Sequence, residues 1–241
     1  MVACNEAARI SRCVRSLASL CGEVLVLDSG STDGTQAIAS EAGARVIDTD
    51  WPGFAAQKNR AIAAASTPWV LLLDADEWLD AEGLAAIRQV FAQVLTDDYD
   101  AFSLPRINHF GTQRIRFGSW GSEQVVRLMR QHCRYADMRV HERLELDGLR
   151  VGKLAAPLMH ESVQNLEEYR AKLRRYAALS AEEMARRGKH ARWSDLWLRP
   201  GFHFFKNVIL RGGFLDGRTG VAIEKAYASY VHEKYRLLRE G

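Results

Sequence analysis

Asp74 and Asp76 follow the apolar run Leu71-Leu72-Leu73, separated by Ala75, and Glu77 comes next. In a strand, residues i and i+2 project from one face. Where such a strand leaves its sheet, the pair sets two hard oxygen donors over one spot. That suits Mg²⁺ or Mn²⁺, which takes one or two carboxylates and completes its shell with substrate phosphates. The competing use of an acid at a strand end is to cap the next helix. Asp80, ahead of Ala81-Glu82-Gly83-Leu84, is better placed for that.

Two further clusters carry chemistry. Cys4-Asn5-Glu6 follows a short apolar start, and Asp28-Ser29-Gly30-Ser31-Thr32-Asp33-Gly34-Thr35 follows the run Glu23–Leu27. Asp28 can accept hydrogen bonds from an imide or a ribose hydroxyl, or cap the turn. Gly30 and Gly34 permit positive φ and close approach of backbone to a ligand. Asp33 serves the turn or the ligand equally well. Lys58 lies in Gln57-Lys58-Asn59-Arg60-Ala61, where a lone helical lysine is ordinarily solvated. Later in the chain stand Trp120-Gly121-Ser122-Glu123, Val140-His141-Glu142, and His160 after an apolar run. A tryptophan can stack on a sugar face, and a carboxylate can take a proton from a hydroxyl. His160 is a metal ligand or a structural histidine, and His109 and His141 are structural or line an acceptor.

The elements that must hold these residues read as α/β over the first 80 residues. Expected strands are Val2-Ala3-Cys4, Glu23–Asp28, Ala44–Asp48 and Trp69–Asp74. Expected helices run from an Asn5 cap to about Ser19, from the glycine-rich turn to about Ala42, and over Phe54–Ala65. Apolar strands separated by helices imply a mainly parallel sheet covered on both faces. Right-handed crossovers then bring the loops after strands two and four to one carboxyl edge, where such sheets bind ligands. A helix is expected over Ala81–Leu95. Residues 99–159 read as short mixed strands (Tyr99–Pro105, Gln124–Met129, Val151–Ala155, Leu154–Met159). A basic amphipathic helix follows from Leu166 to about Arg187, with Leu166, Tyr169, Leu173 and Tyr176 inward. Trp193–Phe205 is aromatic-rich, and Val221–Arg239 is a last helix. The first strand is short for a parallel sheet, which fits a chain that begins late.

Composition is that of a soluble globular protein, with 47% hydrophobic and 26% charged residues. No apolar stretch reaches the roughly 18–20 residues of a membrane span, and no signal peptide is visible. The four cysteines (Cys4, Cys13, Cys21, Cys133) lack CxxC or zinc spacing and fit a reducing cytosol. The net charge of +3 is unevenly spread: residues 162–241 carry 16 Lys and Arg against 9 Asp and Glu, so the remainder is net acidic. The basic part can face phosphate or an anionic membrane.

The order and spacing of Asn5-Glu6, Asp28 to Thr35, Gln57 to Ala61 and Asp74-Ala75-Asp76 resemble the donor half of family 2 glycosyltransferases with the GT-A fold. The resemblance implies a UDP-sugar donor. It places Glu6 and Asp28 on the nucleoside, with Asn5, Ser29, Gly30 and Asp33 around them. Lys58 lies near the base or diphosphate, Asp74 at the ribose or metal-bound water, and Asp76 on Mg²⁺ or Mn²⁺, with His160 as a third ligand. The family often places its base in a Glu-Asp pair; this chain has Val140-His141-Glu142 instead, which makes Glu142 the first candidate base and Glu123 its rival. Trp120 and His141 fall on the acceptor side. Val140-His141-Glu142, Leu158 to Ser162 and Gly213-Phe214-Leu215-Asp216-Gly217-Arg218-Thr219-Gly220 together resemble lipopolysaccharide core glucosyltransferases of the WaaE/LgtF kind.

That likeness implies inverting transfer of a hexose, glucose first, to an inner-core heptose or another saccharide-lipid. The enzyme would be cytoplasmic, with the basic aromatic tail on the inner face of the membrane. The organisation implied is a nucleotide-sugar half (1–98), an acceptor and catalytic half (99–161) and a helical extension (162–241). A polyprenyl-phosphate glycosyltransferase is the alternative on the same fold, and a nucleotidyltransferase would release diphosphate instead of UDP. A nucleic-acid module is the alternative from another class, but RRM-like aromatics, RGG repeats and zinc knuckles are missing, so no nucleic acid is expected.

Overall fold

The computed structural model describes residues 1–93, 97–121, 123–136 and 144–240. They form two compact units, one of Met1–Arg106 with Glu123–His160, the other of Ile107–Ser122 with Glu161–Gly241. The fold is α/β, a mixed sheet arrangement flanked by helices and followed by a helical C-terminal region, as expected for GT-A.

In the first unit, β1 (Val2–Ala3), β2 (Leu25–Asp28) and β3 (Arg45–Asp48) pair in parallel, linked through α1 (Ile10–Leu17) and α2 (Thr35–Glu41). After α3 (Phe54–Ala63), β4 (Trp69–Leu71) pairs antiparallel with β8 (Glu123–Arg130), and the chain beyond it bridges back to β1 at Val2–Asp74 in parallel. The strand expected to run to Asp74 therefore stops at Leu71, and the acidic turn begins sooner. β5 (Glu77–Leu79) pairs antiparallel with β10 (Leu158–Val163), and β6 (Ala101–Phe110) lies between β8 and β10, with β9 (Val151–Lys153) parallel to it. Val26 and Leu73 enter one core cluster with Ile10, Val14 and Ile87. Their neighbours Leu27 and Leu72 enter another with Ile62 and Met129. This two-sided burial is why these strands are apolar throughout.

Helix α1 starts at Ile10, not at Asn5. Asn5 takes a left-handed backbone (φ 57°), and its side-chain oxygen accepts from the Thr32 amide at 2.9 Å. The residue read as a helix cap instead clasps the glycine-rich loop. Asp80 does cap α4 (Ala81–Ala92), accepting from the Gly83 amide at 2.9 Å.

In the second unit, α7 (Gly217–Glu240) is the spine. Ile223 and Ala226 bury against Tyr169 and Leu173 of α5 (Leu166–Arg186), while Val231, Tyr235 and Leu238 pack with Ala181 and Leu196, the last on α6 (Trp193–Phe205). Asn165 caps α5 by accepting from the Glu168 amide. Tyr176, expected inward, is exposed. The tail motif closes on the segment after β7 (Gln113–Arg114): the buried Asp216 accepts from the Arg116 and Phe117 amides at 3.0 and 2.8 Å. Glu224, also buried, accepts from the Ser119 amide and hydroxyl, both at 2.7 Å, and pairs with His203 at 3.1 Å. Gly118 runs at φ +71°, and a Cβ there would meet Glu224 Oε1 at 2.5 Å, so only glycine lets the loop lie this close.

Candidate active site

The loop after β2 is fixed by its own acids. Asp28, with no exposed surface, accepts from the Ser31 amide at 2.8 Å, the Ser31 hydroxyl at 2.5 Å and Gln36 Nε2 at 2.7 Å. These three bonds take up most of that carboxylate's acceptor capacity. Asp33 accepts from the Thr35 amide and hydroxyl and from the Ala7 amide, so in this structure it holds the turn. These hydrogen bonds, the Thr35 hydroxyl first, keep its carboxyl below the usual range. The Glu6 amide donates to the Thr35 hydroxyl and the Asn5 amide to Ser31 Oγ, which ties Asn5-Glu6 to the same loop. Ser29 Oγ accepts from Gln57 on α3 at 3.0 Å. Gly30, at φ +79°, has open space where a Cβ would lie, so a ligand can approach the backbone there.

The acidic turn is built around an arginine. Arg127 on β8 donates through Nε and one terminal nitrogen to the fully buried Glu77, at 2.8 Å each, and that nitrogen also reaches Asp74 at 2.6 Å. Glu77 in turn accepts from the Asp74 amide at 3.1 Å, locking the turn. Lys58 is buried, not solvated, and its ammonium lies 3.2 Å from the other Asp74 oxygen. Burial opposes charge on Asp74, but Arg127 and Lys58 outweigh it and hold the carboxyl well below its usual range. Burial likewise opposes charge on Arg127, and Asp74 and Glu77 overcome it. Tyr135 lies under Lys58 with its ring centroid at 5.5 Å, and Asn59 pins the Tyr135 backbone at both its N–H and C=O.

Asp76 and His160 come together across the β5–β10 pairing, with Oδ2 and Nε2 3.3 Å apart. One carboxylate oxygen and one imidazole nitrogen, both partly exposed, fit a divalent cation whose other positions come from phosphate and water. No group of three protein ligands stands among the described residues. Asp74, the remaining ligand expected, is paired with Lys58 and Arg127 in this structure.

The topology joins these pieces. Val2 faces Leu27 on one side and Asp74 on the other, and Ala3 faces Asp28. Asp28 and Asp74 thus end neighbouring positions across β1, about 10 Å apart at two strand spacings.

The acceptor-side residues are placed differently. Glu123 at the start of β8 is half-exposed and bound to Arg106 at 2.5 Å. Trp120 packs edge-on against Tyr169 at 5.1 Å and near Phe110 at 6.0 Å, and its carbonyl accepts from Asn108. His141 and Glu142 lie outside the described residues. Arg127 and Glu77 escaped the sequence reading. Their one signal was an arginine inside the apolar strand Val125-Val126-Arg127-Leu128-Met129, since a buried charge demands a partner.

A parallel α/β edge carries a glycine-rich loop clasped by Asn5 and an acidic turn locked by cations, the edge expected of a GT-A fold. The chain belongs to glycosyl transferase family 2, whose model matches residues 1–140. It is similar to the lipopolysaccharide core biosynthesis glycosyltransferase LpsC of Rhizobium meliloti (strain 1021), with 28% identity over 98% of this chain and 92% of the relative. An uncharacterized glycosyltransferase of Rickettsia felis is also 28% identical, over 98% of this chain and 87% of the relative. Among solved structures, glucosyl-3-phosphoglycerate synthase from Mycobacterium tuberculosis, in complex with Mn²⁺, UDP-glucose and glycerol 3-phosphate, is 28% identical. The match covers 44% of this chain and 42% of that one, with a TM-score of 0.37. The match thus covers less than half of either chain.

Proposed function

We propose that this glycosyltransferase moves a hexose, glucose first, from a UDP-sugar to an inner-core heptose of lipopolysaccharide, with inversion. The observation that carries the reading is the shared edge on which Asp28, Asp74 with Lys58, and Asp76 with His160 stand. The likeness to a lipopolysaccharide core glycosyltransferase supports the acceptor class. In the reaction the acceptor oxygen bonds to the sugar C1, the C1–O bond to the diphosphate breaks, and the hydroxyl proton passes to a carboxylate. Asp76 and His160 would hold Mg²⁺ or Mn²⁺, which offsets the charge of the departing UDP. Lys58, paired with Asp74, would lie near the base or the diphosphate. Of the two candidate bases, Glu123 is tied to Arg106. That pairing engages Glu123 elsewhere, and we give the role to Glu142. The lipid-borne acceptor puts the reaction at the inner face of the cytoplasmic membrane.

The test is a panel of UDP-sugars with Mn²⁺ or Mg²⁺ and core oligosaccharide, scored for UDP release. UDP-glucose is expected to give the highest rate, and Asp76→Asn to abolish it; no release with any nucleotide sugar would overturn the reading. Glu142→Ala should remove transfer to a sugar hydroxyl. Undiminished transfer by that variant sinks the base assignment and favours an acceptor already ionised, such as a polyprenyl phosphate.

A further inference from the structure

Leu198, Phe202, Phe205 and Ile209 recur at i, i+4, i+7 and i+11 along α6 and the π-helical turn Lys206–Leu210, and each is more than half exposed. In a globular protein that spacing marks the face turned to the core. Here the core face is a different one, formed by Leu196, Asn207 and Val208. The outward stripe is therefore apolar and uncovered, and large contiguous patches of this kind mark binding surfaces.

Charge identifies the occupant. Arg192, Arg199 and Lys206 recur every seven residues, which sets them in one row beside the apolar stripe. Asp195, the sole acid between residues 193 and 210, pairs with Arg199 at 2.6 Å, so Arg192 and Lys206 carry the net charge of the row. Trp193 and Trp197 are also exposed on this helix, their rings against Arg239 and His232. A second copy of the chain would bring these cation rows against each other. An anionic bilayer matches both features: apolar side chains enter the acyl boundary, cations meet phosphate, and indoles sit at the headgroup level. No described helix is long and apolar enough to cross a membrane, so such a helix lies in the interface plane.

We propose that α6 with the turn 206–210 is an in-plane anchor for anionic membrane. The inference rests on this helix alone and not on the donor or acceptor of the reaction. The experiment is co-sedimentation of the full chain with phosphatidylcholine vesicles, with and without phosphatidylglycerol. The wild type should pellet with the anionic vesicles and much less with neutral ones. Phe202→Asp combined with Phe205→Asp should cut partitioning by about a hundredfold, roughly tenfold per aromatic withdrawn. Lys206→Glu should weaken binding about tenfold, on anionic vesicles only and less at high salt. Thermal melts of the variants should match the wild type, because the substituted side chains are exposed. A wild type left in the supernatant with anionic vesicles overturns the proposal, as does undiminished binding by the double aspartate variant. A dimer in sedimentation velocity that the double variant abolishes, without vesicle binding, also overturns it and assigns the face to a second copy. Failure of every nucleotide sugar in the transfer assay leaves this readout intact.

Discussion

Arg127→Met tests the idea that the acidic turn depends on a cation from another strand. Methionine keeps the apolar stem and removes the fork that now meets Glu77 twice and Asp74 once. Asp74 retains Lys58 at 3.2 Å, but Glu77, with no exposed surface, is left with Arg106 at 3.7 Å as its closest remaining cation. Removing one partner of a buried ion pair costs about 3–5 kcal/mol, a large share of the roughly 5–15 kcal/mol that holds a domain folded. The loss is dominated by the uncompensated Glu77 carboxylate, so Glu77→Gln in the same chain should recover about 1–3 kcal/mol as a coupling energy. Urea unfolding followed by circular dichroism of the two single variants and the double variant measures that coupling. An Arg127→Met variant within about 0.5 kcal/mol of wild type would refute the argument. Strict additivity of the two substitutions would refute it equally, since it means that the pair does not act as a unit.

Gly118→Ala should destabilise the second unit by about 1–3 kcal/mol, because it adds a Cβ at positive φ against Glu224; an unchanged melting temperature would contradict this. Asn5→Ala should weaken UDP binding by loosening the 28–35 loop that the Asn5 side chain holds at Thr32, with secondary structure kept; calorimetric titration of UDP measures it. Acid should act through Asp74, whose carboxyl lies below its usual value in the fold. A depressed group stabilises above its unfolded pKa, about 4, and loses that stability as pH falls through the folded value. Stability measured from pH 7 downward should therefore fall below about pH 4, and Asp74→Asn should flatten that fall.

Much of the site was legible because its signals are local. An apolar strand ending in spaced acids, and a loop of glycine, serine and aspartate opening a helix, state their geometry within a few residues. The helical tail was legible from its periodicity. What escaped depends on distant strands. The sequence marks Glu77 only as one acid among three; β8 makes it the buried partner of Arg127. Lys58 reads as surface until the Val2–Asp74 bridge brings Asp74 to its ammonium. Asn5 reads as a helix cap until the parallel pairing of β1 and β2 sets it beside Thr32.

By itself, then, the sequence determined the family, the α/β class and the glycine-rich and acidic motifs, because hydrophobic period and turn chemistry act over short range. Tertiary structure alone decided which acids are neutralised, and that the tail motif's Asp216 is spent holding the 116–117 amides. It also decided that α6 turns an apolar stripe away from its core. The physical reason is the same in each case: burial and charge compensation are properties of pairs, and the partners lie far apart along the chain.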